Sequence, residues 1–137
     1  MRSALLVLCL AACGDDGGSS APVDAAPSDA APRETITASK SLVVGEIVEA
    51  ILAGGPGDRA VIQLTAPLPK LDWNLHGHAG GGTQVVEEEL GIMTTTYVFT
   101  PSVEADWYLL LRNQHTAELA VDVRVELYGD ITWEGWD

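Results

Sequence analysis

The stretch LAVDVRVELY, Leu119 to Tyr128, alternates without a break: Leu119, Val121, Val123, Val125 and Leu127 fall on one side, and Ala120, Asp122, Arg124, Glu126 and Tyr128 on the other. Side chains two apart on an extended chain share a face, so this is a strand with one buried face and one wet face. No segment of the chain shows comparable helical periodicity. Upstream, Trp107, Leu109 and Leu111 alternate with Tyr108, Leu110 and Arg112. That strand is apolar on both faces near its middle, which predicts a central position in its sheet. Asn113-Gln114-His115-Thr116 then reads as the turn of a hairpin joining the two.

Working further outward, Met93, Thr95, Tyr97 and Phe99 set another strand, ended by Thr100-Pro101-Ser102. Earlier strands are expected near Ser41 to Leu52, broken or bulged at Gly45, and near Ala60 to Thr65, Lys70 to His76 and Thr83 to Glu88. The turns are Gly54-Gly55-Pro56-Gly57-Asp58, Pro67-Leu68-Pro69 and Ala79-Gly80-Gly81-Gly82. About seven or eight short strands at this spacing predict an all-β fold, an antiparallel, jelly-roll-like β-sandwich.

The N-terminus is of another kind. Met1-Arg2 followed by the apolar run Ala4 to Leu10 has the charged and apolar regions of a secretory signal, and the run is too short to span a bilayer. Leu10-Ala11-Ala12-Cys13, followed by Gly14, resembles the lipobox of bacterial lipoproteins. The resemblance implies cleavage before Cys13, a signal peptide of residues 1–12, and palmitate-class acyl chains on Cys13. Two or more chains, at about 0.8 kcal/mol per buried methylene, give stable anchoring. The alternative is an ordinary secretory signal that contains a cysteine. With Cys9 in the removed segment and Cys13 lipidated, no thiol is left for a disulfide, a metal or a nucleophile.

Residues 13–33 are rich in Asp, Gly, Ala, Ser and Pro and lack aromatics, which predicts a disordered tether. Residues 34–137 are then one β-sandwich domain with a modest core. Localisation follows from the anchor: the bacterial cell envelope, with the outer membrane expected rather than the inner, and the domain facing periplasm or surface.

Charge narrows the partners. Seven Lys and Arg face twenty Asp and Glu, a net charge of −13. No basic stripe is available to release counterions from a phosphate backbone, which excludes nucleic acid as a partner. Membrane attachment would have to come from the acyl chains alone.

Tyr97-Val98-Phe99-Thr100-Pro101, then Asp106 to Asn113, then Val121-Asp122-Val123-Arg124-Val125, resemble the last three strands of Golgi-dynamics-type and bacterial pre-peptidase C-terminal-type domains, over about the last forty residues. Asp106 stands where those domains often have Gly. The resemblance implies a non-catalytic accessory or binding module, with no catalytic residues to carry over.

The chemistry-bearing residues are few. His76 and His78, two of the three histidines, flank Gly77 in LDWNLHGHAGGGT. On a strand they share a face with Asp72 and Asn74, while Leu71, Trp73 and Leu75 point to the core. Two readings stand. Both imidazoles sit on a solvated face leading into a glycine turn, or they bind copper or zinc with His115, Glu87, Glu88 or Asp106 as a further ligand. No other cofactor is implied. Trp133 and Trp136, in ITWEGWD after the last expected strand, either fold back over an open end of the sandwich or offer an aromatic platform to a sugar or peptide. Gly80-Gly81-Gly82 lacks the Lys and helix of a phosphate loop, and Glu87-Glu88-Glu89 reads as a solvated edge strand rather than a calcium loop. Without G-x-S-x-G, H-E-x-x-H or a Ser/His/Asp arrangement, the chain is not expected to be an enzyme. The leading expectation is a lipid-anchored binding or accessory module with an unknown protein or glycan partner. The alternative is a copper- or zinc-binding envelope protein.

Overall fold

The computed structural model describes residues 30–137. The signal segment, Cys13 and the tether up to Asp29 lie outside the described residues.

Nine strands follow in order: β1 Glu34–Leu42, β2 Ile47–Gly54, β3 Arg59–Thr65, β4 Leu71–Gly77, β5 Gln84–Ile92, β6 Thr94–Phe99, β7 Ala105–Asn113, β8 Leu119–Tyr128 and β9 Thr132–Trp136. A single 3₁₀ turn, Ala79–Gly81, sits between β4 and β5. Among the described residues no helix is long and apolar enough to cross a membrane.

The topology has a simple rule. β1 pairs with β8, β2 with β7, β3 with β6 and β4 with β5, all antiparallel, so the first eight strands form one long two-stranded ribbon. Its closed tip is the β4–β5 connection, His78 to Thr83. The ribbon rolls up so that β3 also pairs with β8 and β4 with β7. The result is two sheets, β1-β8-β3-β6 and β5-β4-β7-β2-β9. This is the expected antiparallel jelly-roll sandwich.

Alternation places the core. Leu119, Val121, Val123, Val125 and Leu127 of β8 are buried, and they face Ala50 and Leu52 of β2, Leu71, Trp73 and Leu75 of β4, and Trp107, Leu109 and Leu111 of β7. The two indoles need polar partners when buried. Trp73 Nε1 donates to Glu89 at 2.7 Å and Trp107 Nε1 to the Gly54 carbonyl at 3.3 Å.

Three sequence expectations are settled or corrected. Of the two readings of Ser41 to Leu52, the break at Gly45 is the one observed: the end of β1, a turn, and β2, in opposite sheets. The turn is made by Gly45 at φ +72°, with the Glu46 carboxylate accepting the Val43 N–H at 2.6 Å. Asn113 to Thr116 is not a hairpin turn, because β7 and β8 lie in different sheets and the segment carries the chain between them. The buried Asn113 side chain fixes that crossing. Its Nδ2 lies 2.8 Å from the Leu42 carbonyl and 2.9 Å from that of Ala117, and its Oδ1 accepts the His115 N–H. The third concerns Thr132 to Trp136, which form a ninth strand on the edge of β2, across a bulge between Ile51 and Leu52. β7, predicted central, lies between β4 and β2.

Candidate functional site

The outer face of the five-stranded sheet carries the histidine pair, and its composition follows from register. β7 brings β2 and β4 into three rows. His76, Tyr108 and Ile51 form the first, Asn74, Leu110 and Glu49 the second, and Asp72, Arg112 and Ile47 the third. The alternation that buries Leu71, Trp73 and Leu75 turns Asp72, Asn74 and His76 outward, as expected.

His78 lies one residue beyond β4, yet its ring returns to the same place. Three rings pack together: His76 and His78 edge to face with centroids 5.2 Å apart, His76 stacked on Tyr108 at 5.4 Å, and His78 edge-on to Tyr108 at 5.1 Å. Gly77 makes this possible from below. A Cβ on Gly77 would stand 2.8 Å from the Trp107 ring, so only glycine lets that indole pack beneath the histidine pair.

His76 is 7 % exposed and well supplied with contacts. Its Nδ1 lies 2.8 Å from Asn74 Oδ1, and its Nε2 is 3.7 Å from Glu49 Oε1, which reaches over β7 from β2. Burial pushes the His76 pKa below its ordinary value of 6.5, the Glu49 carboxylate opposes that shift, and the neighbouring His78 adds to it. Burial thus favours the uncharged form of the His76 ring. Shallow depressions of about 170 Å³, among Ile47, Asn74, Leu110 and Arg112, and of about 190 Å³, among His78, Ala79, Asp106 and Tyr108, indent the face at its two ends.

His115 is not brought to this cluster. Leu71 of β4 pairs with Asn113 and Gly77 with Trp107, so His115, just past Asn113, sits at the other end of the sheet, about 20 Å along the strand. Its Nδ1 accepts the Ala117 N–H at 3.1 Å. The three-histidine set is thereby corrected to a pair. Among the described residues, no group of three or more His, Cys, Asp or Glu side chains stands ready to hold a metal ion.

Trp133 and Trp136 pack half-buried against the core, edge to face at 5.5 Å, and Lys40 covers Trp136 with its ammonium 4.5 Å from the ring centre. They close the open side between β1 and β9 rather than standing clear as a platform. Sequence reasoning missed Glu49, Ile51 and Leu110. Only the apolar wet side of β7 hinted at a face that is not simply solvated.

No protein-family model matches this chain, and no curated protein matches it. Solved structures do share its architecture. It is similar to the Yersinia pseudotuberculosis-derived mitogen, at a TM-score of 0.53 and 12 % identity over 72 % of this chain and 89 % of that one. It is also similar to Aeromonas hydrophila PliG, a periplasmic inhibitor of g-type lysozyme, at a TM-score of 0.53 and 9 % identity over 69 % of this chain and 86 % of that one. At these identities the likeness shows the fold alone.

Proposed function

We propose that this chain is a lipid-anchored, non-catalytic binding module of the bacterial envelope that engages a protein partner through the outer face of its five-stranded sheet. The observation that carries the reading is the row structure of that face. Ile51, Tyr108 and Leu110 lie side by side, Ile47 stands diagonally from Leu110 at the corner beyond Glu49, and Glu49, Asn74, Asp72 and Arg112 flank them. Recognition surfaces are built this way, with Tyr and Arg enriched and charge moved toward the rim.

Two further points support it. The lipobox resemblance at Leu10 to Cys13 supports the anchor, and β1 starts at the end of the sandwich where the His78 loop lies, so a tether would hold that end toward the membrane. One of the structural neighbours is by its description a periplasmic inhibitor of g-type lysozyme, a protein whose partner is another protein.

The test has two arms. Metabolic labelling with palmitate should mark the chain, and Cys13→Ala should abolish both the label and membrane retention. An unlabelled parent chain would remove the anchor. Affinity isolation after in-envelope cross-linking should recover a protein with the parent chain and lose it with Leu110→Asp. Equal recovery by both, or recovery of glycan only, would overturn the protein-docking reading.

A further inference from the structure

Three carboxylates flank the apolar centre of the five-stranded sheet without a Lys or Arg of the chain's own. Glu88 of β5 stands opposite Asn74 and lines a shallow depression with Leu110. Glu49 ends the same row on β2, and Asp106 lies beside Tyr108 at the end nearer the His78 loop. Among the described residues the ion pairs are His76 with Glu49 and Arg124 with Glu126, so neither Glu88 nor Asp106 is paired and Glu49 meets only an imidazole. The cations are engaged elsewhere. Arg33 donates to the Ile131 carbonyl, Lys40 covers Trp136, the Arg59 guanidinium lies 3.8 Å from the Tyr128 ring centre, and Arg124 holds Glu126. Arg112 and Lys70 sit together at the far end of the face, where β7 finishes and β4 begins.

From this we infer, resting on the docking face proposed above, that the partner is a basic protein whose contact surface carries Lys or Arg around an apolar centre. Docking on Ile51, Tyr108 and Leu110 strips water from the carboxylates beside them. A carboxylate that loses water without gaining a cation is costly, and this chain brings none to Glu49, Glu88 or Asp106, so the partner must supply them. The register sets their spacing. Glu88, Asn74, Leu110 and Glu49 lie in one row across four adjacent strands, which puts the two glutamates about 14 Å apart on either side of Leu110. A complementary surface therefore offers two cations at that separation with an apolar side chain between them. The net charge of −13 acts in the same direction, drawing a basic partner in and keeping an acidic one away.

The experiment uses the full chain in isolated envelopes, with a photo-cross-linking residue at Ile51, irradiated at low and at high sodium chloride. A discrete protein adduct is expected at low salt, falling by about tenfold at high salt. The triple variant Glu49→Gln, Glu88→Gln, Asp106→Asn should lose the adduct to a similar extent while keeping the parent's thermal midpoint, and the partner peptide joined to Ile51 should come from a surface with an excess of Lys and Arg. A discrete adduct undiminished by salt or by the triple variant, or one mapped to an acidic surface, would overturn the basic partner and leave the docking face standing. No adduct at either salt would overturn the docking face, and the basic partner with it.

Discussion

The two sheets of this sandwich turn different surfaces to water, one mainly polar and one richer in aromatic and aliphatic side chains. On the four-stranded sheet the outward residues are mostly polar, Thr35, Thr37 and Ser39 of β1, Asp122, Arg124 and Glu126 of β8, and Gln63 and Thr65 of β3, with Val61 of β3 and Val98 of β6 as the apolar pair among them. The polar side chains satisfy one another: Ser39 donates to Asp122 at 2.5 Å, Arg124 to Glu126 at 2.6 Å, and Ser41 to Glu118. On the five-stranded sheet the corresponding rows hold Ile51, Tyr108 and His76, then Glu49, Leu110 and Asn74. The backbone pattern is the same on both sides. What differs is whether the outward half of each alternation was given to solvent or to something else. Exposed apolar patches rimmed by polar residues mark interaction sites.

Substitutions on and beneath the two faces test the difference between them. The largest effect is expected beneath the histidine pair. Gly77→Ala forces a methyl group against the Trp107 ring and should destabilise the domain by about 1–3 kcal/mol, whereas Gly82→Ala, with open space around it, should change stability by less than about 0.5 kcal/mol. Chemical denaturation of both variants checks this. Tyr108→Ala should come next, weakening partner binding by about 2 kcal/mol, some thirtyfold, while Gln63→Ala on the opposite face leaves affinity unchanged. Equal losses from the two faces would show that they do not differ in partner recognition.

A third effect is set by pH. Burial lowers the pKa of His76 in the folded chain, so the unfolded chain binds the proton more readily. Its contribution to stability is therefore fully present above about 6.5, the unfolded value, and is lost as pH falls from there through the lowered native value. Denaturation midpoints measured across that window should fall with acidity, less steeply in His76→Gln. The smallest effect belongs to the four-stranded face. Arg124→Ala removes an exposed ion pair with Glu126 and should cost about 0.5 kcal/mol or less.

Much of this architecture can be read before any coordinates. The unbroken alternation of Leu119 to Tyr128 and the two-sided apolarity of Trp107 to Arg112 announce strands, the class of fold and the central place of β7. Two features escape such reading. The first is sheet membership: a turn within a hairpin and a turn between sheets use the same residues, so Asn113 to Thr116 looks like the former until Asn113 is seen holding the carbonyl of Leu42, far away in sequence. The glycine-containing ITWEGWD likewise carries too little alternation to mark β9, which exists because β2 offers an edge. The second is proximity across a sheet. The sharing of one face by Asp72, Asn74 and His76 follows from period two, but Glu49 meets His76 only because β7 lies between their strands in one register.

The claim that the five-stranded sheet is the recognition surface is tested most directly by placing a photo-cross-linking residue at Ile51 or Leu110, and in parallel at Val61 or Gln63, and irradiating intact cells. The account predicts a discrete protein adduct from the first pair of positions and none from the second. Adducts from Val61 and Gln63, or from all four positions alike, would contradict it.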